Sequence, residues 1–205
     1  MSSKVSHEER RHQIAEAMVT IAATRGLHAA SMREVAAEAG VSLRLVQYYF
    51  QTKEELLRAV LQRLGTQLGR RMAHAVAGSA TPRSYLRDAM TALLPTDEEG
   101  RRIVLAYTAH YTLTLTEPHL APTGLAHAGA LHDLITAKFR EAAQAGELRP
   151  DVDPGRAAPI CLALVTGLQS AVLAGQHTPQ VAIGLLGAHL DGLFTPTPGP
   201  GNSRP

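Results

Sequence analysis

The stretch SMREVAAEAGVSLRLVQYYFQTKEELL, Ser31 to Leu57, decides the fold. Ser31 can cap a helix through its hydroxyl, and Glu34, three positions on, completes a capping box. Val35, Ala36 and Ala39 then form a narrow apolar stripe at helical spacing. Ala36 is small enough for a second helix to approach closely. Gly40 suits the left-handed turn that ends a helix, Val41 plugs that turn, and Ser42 caps the next helix. Val46 and Phe50, four apart, face the core, which turns Leu43, Arg44, Gln47 and Tyr48 outward. Thr52 caps a third helix, with Glu55 completing a second capping box. An alanine at 36, a glycine at 40 and an apolar residue at 46 match a helix-turn-helix. That arrangement presents a short helix, about Leu43 to Phe50, to a DNA groove. An ordinary helical hairpin would share the caps. It would not need Tyr48, Tyr49 and Phe50 in a row, covering most of the circumference of so short a helix.

Charge supports the same reading. The formal net charge is only +2, but residues 1–71 carry eleven Lys and Arg against seven Asp and Glu, and the remainder nine against eleven. A basic amino-terminal part with a slightly acidic remainder suits a DNA reader joined to something else, not a protein that coats nucleic acid along its length. Cys161 is the single cysteine, so no intramolecular disulfide forms and a reducing compartment is expected. MSSKVSHEERRHQ lacks the apolar core of a signal peptide, and no uninterrupted apolar run approaches the ~20 residues a membrane helix needs. A cytoplasmic protein without membrane contact is expected.

The rest of the chain reads as helices. The first starts near His7 or Glu8 and ends at Gly26, burying Ile14, Ala17, Met18 and Ile21. The helix capped by Thr52 buries Leu56, Leu57, Val60, Leu61, Leu64 and Leu68 and ends near Gly78. Pro82 opens a helix that reaches Pro95. Asp97 to Thr116 follows, with Ile103, Val104, Tyr107 and Tyr111 inside. Residues 111–116 alternate like a strand but have no visible partner strand. Pro118 and Pro122 break the chain before a helix from about Gly124 to Ala145. Two very apolar helices close it, about Pro154 to Ala174 and Pro179 to Phe194. Gly167, Gly175, Gly184, Gly187 and Gly192 lie in or beside them, where they permit close helix contact. Paired with the same two helices of a second copy, these would form a four-helix homodimer interface. TPTPGPGNSRP, residues 195–205, has the composition of a disordered tail.

Residues 10 to 60 resemble the TetR family of bacterial repressors. The likeness lies in an amphipathic first helix ending in Gly26, then S-M-R-E-V-A-x-x-A-G-V-S, then Y-Y-F-x-T-K-E-E-L-L. The resemblance implies that Tyr49 and Lys53 grip phosphates. It implies that Ser31 and Arg33 reach the backbone or the groove, and that Leu43, Arg44 and Tyr48 face the bases. Ser42 and Gln47 complete the expected DNA-binding set. Gln47 departs from the pattern, because the family usually has a tyrosine there; a glutamine can read an adenine edge or bond a phosphate. Leu43 and Leu45 are apolar for a reading helix and either meet a thymine methyl group or pack.

The expected class is therefore all-α. Residues 1–53 form a three-helix helix-turn-helix DNA-binding domain, and 54–194 a helical ligand-binding and dimerisation domain. The expected function is a transcriptional regulator, a repressor that binds a palindromic double-stranded DNA operator as a dimer and is released by a small-molecule effector. The alternative is an activator or a DNA-binding protein with no ligand. Met90, Tyr107, His110, Tyr111, Phe139 and Gln169 are candidate pocket residues, being polar, aromatic or soft groups at apolar helix positions. Each can equally be an ordinary core residue. No cofactor is expected. Ten histidines invite a metal, but no H-x-x-x-H pair or Cys-His cluster exists, so none is expected. Nor is an enzyme: His132 and Asp133 are adjacent on a helix and diverge, and Ser170 and Cys161 lack an evident base.

Overall fold

The computed structural model describes residues 2–117 and 121–196. Among these the chain forms α1 (Ser2–Arg25), α2 (Met32–Glu38), α3 (Leu43–Tyr49), α4 (Lys53–Ala75), α5 (Pro82–Ala92), α6 (Glu98–Thr116), α7 (Ala121–Gln144), α8 (Pro154–Leu173) and α9 (Pro179–Leu193). Short 3-10 turns occupy Leu27–Ala29 and Val76–Gly78. The molecule is all-α, and among the described residues the one strand-like feature is an isolated bridge between Leu148 and Phe194. The alternating run 111–116 is the end of α6: without a partner strand, local hydrogen bonds satisfy its backbone.

The helix starts are chemically local. Ser31 Oγ accepts from the Glu34 N–H at 3.2 Å and Glu34 Oε2 from the Ser31 N–H at 3.2 Å, the full capping box. Ser42 Oγ accepts from the Leu45 N–H at 3.2 Å. Thr52 Oγ1 accepts from the Glu55 N–H at 3.1 Å, but the Glu55 carboxylate turns back to the Gln51 N–H, at 3.0 Å, one residue earlier than a standard box. Three later helices repeat a cap-proline start: Thr81-Pro82, Asp153-Pro154 and Thr178-Pro179. The cap oxygen takes a free amide, and proline sits where its missing N–H costs nothing. Asp97 caps α6 by accepting from the Gly100 N–H at 2.7 Å. That bond, with help from Arg71 and against some burial, holds the Asp97 carboxyl below the usual carboxylate range.

Two boundaries differ from the sequence reading. α1 begins at Ser2, not near His7; residues 2–6 hold neither proline nor glycine, and a nucleated helix extends through such a segment. α7 begins at Ala121, so Pro122 lies in its first turn instead of ending a segment. Pro118 lies outside the described residues.

The chain divides into two compact units, Met1–Arg71 with Pro95–Gly129, and Met72–Leu94 with Ala130–Pro205. The expected boundary at residue 53 falls inside the first unit, which also takes in α6. In that unit Ile14, Met18 and Ile21 of α1 share one core with Val35 and Ala36 of α2, Val46 of α3, Phe50 just after it, Leu56 and Leu64 of α4, and Ile103 and Ala106 of α6. Each such large side chain, fully buried, contributes ~1.5–3 kcal/mol. Gly26 joins α1 to the next turn at φ 79°, and Gly40 ends α2 at φ 65°, both in the region that an L side chain enters only at a cost. Leu68 is only half-buried and Tyr111 is 59% exposed. On α6 it is Ile103, Ala106 and His110 that face inward, and Tyr111, one residue past His110, is rotated ~100° away from that face.

In the second unit α8 packs on α9 and α9 on α5. Arg83 fastens the end of α9 and the residues just after it: it donates to the Thr195 carbonyl at 3.1 Å and to Asp191 at 2.8 Å, and lies over the Phe194 ring at 5.3 Å. Phe194 stacks on Phe139, centroids 6.3 Å apart. The Thr195 N–H donates to the Glu147 carbonyl at 2.8 Å, so the expected tail at 195–205 begins after a tethered residue; 197–205 lie outside the described residues.

Candidate nucleic-acid interface

α3 is two turns long and cannot hold itself in place. Its support comes from both neighbours in sequence and from α1. Val46 and Phe50 are fully buried. Gln13 of α1 donates to the Ala39 carbonyl at 2.8 Å, satisfying the end of α2. Arg11 donates to the Tyr49 carbonyl at 3.0 Å, at the end of α3, and its guanidinium lies 4.4 Å from the Phe50 ring centroid. The same guanidinium reaches Glu55 of α4 at 3.6 Å. One side chain thus joins α1, α3 and α4. Sequence reading missed Arg11 and Gln13; both flank the apolar stripe of α1, and only that position hints at a role.

The outward face is the one the spacing predicts in outline. Ser31, Arg33, Ser42, Arg44, Gln47, Tyr48 and Lys53 are exposed, Tyr48 at 70%. Arg44, Gln47 and Tyr48, at i, i+3 and i+4, share one side of α3. Tyr49 and Leu43 are half-buried, packed against the core. Ser42 accepts at its cap and keeps its hydroxyl proton for an outside acceptor, whereas the Ser31 hydroxyl also donates to Glu34 Oε2 at 3.2 Å.

The cations of this unit differ in how they are paired. Arg11, Arg25, Arg58, Arg63, Arg71 and Arg102 each pair with a carboxylate. Arg33, Arg44 and Lys53 have no carboxylate partner among the described residues, as is also true of Arg70 in α4 and Arg101 in α6. Cations without an internal counter-charge are the ones able to neutralise phosphate and release its counterions.

The candidate pocket residues divide between the units. Tyr107 and His110 are inner-face residues of α6, with Tyr111 exposed. Burial, and then the neighbouring Tyr111, raise the Tyr107 phenol above its ordinary range, so it remains a hydrogen-bond donor. In the second unit Met90 and Phe139 are fully buried, and Gln169 is half-buried, donating to the Leu93 carbonyl at 2.8 Å. No group of three or more His, Cys, Asp or Glu that could hold a metal occurs among the described residues. His132 and Asp133 stand 3.5 Å apart on an exposed surface. Burial pushes the Cys161 thiol up to about 12, leaving it an apolar core residue with negligible thiolate. α8 has the length and composition of a membrane span, a test the core helix of a soluble protein also passes.

Residues 14–60 match the family model described as bacterial regulatory proteins, tetR family, and residues 82–195 match the BetI-type transcriptional repressor carboxy-terminal model. The chain is 26% identical over 192 residues to the transcriptional regulator BetI of Burkholderia thailandensis, covering 92% of this chain and 95% of that protein. It is 33% identical over 113 residues to the regulator PksA of Bacillus subtilis, a match spanning 54% of this chain and 55% of the other. Among solved structures, a TetR-family transcriptional regulator from Rhodococcus sp., described as putative, superposes with a TM-score of 0.83 at 25% identity, over 92% of this chain and 100% of that one. The α3 face, its props and these likenesses agree: the chain belongs to the TetR family of bacterial regulatory proteins and is a DNA-binding transcriptional regulator.

Proposed function

We propose that this regulator is a repressor that holds a palindromic operator as a homodimer through α8 and α9, and leaves it when a small molecule binds. Regulators of this family bind DNA operators and small-molecule effectors and act as dimers. In this reading residues 1–53 are the DNA-binding domain and 54–194 the ligand-binding and dimerisation domain, working in the cytoplasm. The observation that carries it is the exposed face of α3, whose Arg44, Gln47 and Tyr48 are backed by a buried Val46 and Phe50. Leu43, Arg44 and Tyr48 face the bases, and Gln47 reads an adenine edge or bonds a phosphate. Tyr49, Lys53, Ser31, Arg33 and Ser42 hold the sugar-phosphate backbone. Tyr107, His110 and Tyr111, with Met90, Phe139 and Gln169, are the candidate effector-contacting residues.

Selection of duplexes from a random pool, followed by gel-shift titration across salt concentrations, tests this function. The expected result is a two-fold symmetric preferred sequence bound far more tightly than random DNA, with affinity falling steeply as salt rises. Equal affinity for every duplex would sink the reading.

A further inference from the structure

We propose that His7 is a positioning residue for DNA reading: its imidazole, on α1, props the Tyr48 and Tyr49 rings of α3 into the orientation in which they meet the duplex. The inference rests on the reading of α3 as the recognition helix and adds a residue that reading does not contain. Because α1 begins at Ser2, His7 is not a frayed first residue. It sits more than a turn inside the helix, with its backbone fixed. Arg11 lies four residues later on the same face of α1 and is anchored to the Tyr49 carbonyl and the Phe50 ring. One turn back along that face, the His7 ring comes to 4.6 Å from the Tyr49 centroid, inclined at 57°, and 6.3 Å from Tyr48, edge to face at 71°. Tyr48 and Tyr49 are themselves edge to face at 5.2 Å. These separations and tilts are those aromatic rings prefer. Tyr48 is otherwise unconfined, with 70% of it exposed, so the ring cluster is what narrows its rotamers before DNA arrives. A side chain ordered in advance loses less entropy on binding.

The test uses the full-length protein and the duplex selected from the random pool. His7→Ala removes the prop and weakens binding to that duplex about tenfold, the scale of one or two side chains losing their preorganisation. His7→Phe keeps a ring in the same place and restores near-wild-type affinity. The slope of affinity against salt stays unchanged in both variants, because no phosphate contact is lost. Far-UV circular dichroism and thermal melting check that both variants are folded, as the exposure of His7 leads one to expect. Wild-type affinity in His7→Ala would overturn the proposal. So would a salt slope lower by about one in both variants, since His7 would then act as a phosphate-binding cation and not as a prop. Arg44→Ala, measured alongside, separates the two levels. If it leaves binding intact, the reading of α3 fails; if it weakens binding while His7→Ala does not, only the role of His7 fails.

Discussion

Arg44 leaves α3 two positions before the buried Val46 and shares a side with Gln47 and Tyr48. No carboxylate holds its guanidinium among the described residues, so the side chain is free to pair bidentately with a guanine. Arg44→Ala is then expected to cost ~1–3 kcal/mol on the selected duplex and much less on random DNA. Gel-shift titration on both duplexes decides it: an equal loss on each would show that Arg44 touches only phosphate. Lys53, at the first turn of α4, has the opposite expected signature as a phosphate contact, a uniform loss on all sequences. Which residues of α3 are exposed was legible from Val46 and Phe50 alone, because two buried positions four apart fix the phase of a short helix. The half-burial of Leu43 was not legible, since an apolar side chain at the edge of the buried arc fits either a groove or the core.

At the scale of elements, the caps were legible because each is a contact within four residues. Ser31, Ser42 and Thr52 all cap as their spacing indicates. The ties between helices were not, because their partners are far apart in sequence. Arg11 reaches Tyr49 across 38 residues, and Gln13 reaches Ala39 across 26. The most consequential of these ties is Glu16, on α1. Its carboxylate receives Arg63 from α4 and Arg102 from α6. All three side chains are about one-third exposed, and burial lowers the pKa of both arginines from the usual guanidinium value. Neither arginine has another carboxylate among the described residues. Replacing Glu16 with Gln leaves two partly desolvated guanidiniums with no counter-charge. The expected loss is ~1–3 kcal/mol, between the values for surface and buried pairs. Urea unfolding measures it, and an unchanged midpoint would show the junction to be ornamental. Arg102→Ala placed on Glu16→Gln should recover part of the loss, because one of the stranded charges is gone.

For the molecule as a whole, the question is what covers α8 and α9. Ile160 is 57% exposed, Val181 46% and Leu185 47%. Ala163, Gly167 and Ser170 continue the open side of α8, and Gly184 and Ala188 that of α9. A side-chain carbon built at Gly167 or Gly184 meets nothing of this chain within 4 Å, so the packing of a single copy gives no reason for glycine there. Each instead weakens its helix by ~1 kcal/mol relative to alanine. In the proposed homodimer, close backbone approach by α8 and α9 of a second copy accounts for both the exposure and the glycines. Two variants test this with opposite expected signs. Gly184→Ala should make the isolated subunit more stable by up to ~1 kcal/mol while weakening dimerisation, a combination no single-chain explanation yields. Leu185→Glu places a charge in the proposed shared core, and a cost of ~3 kcal/mol raises the dimer dissociation constant by more than a hundredfold. Sedimentation velocity across protein concentration reads the association of both variants, and urea unfolding the stability of the Gly184→Ala subunit. If Leu185→Glu sediments as a dimer with wild-type affinity, the homodimer lies elsewhere and the exposed face needs another partner. If it is monomeric and folded, its binding to the palindromic duplex should fall toward that of a single half-site, while its salt-dependent binding to random DNA persists.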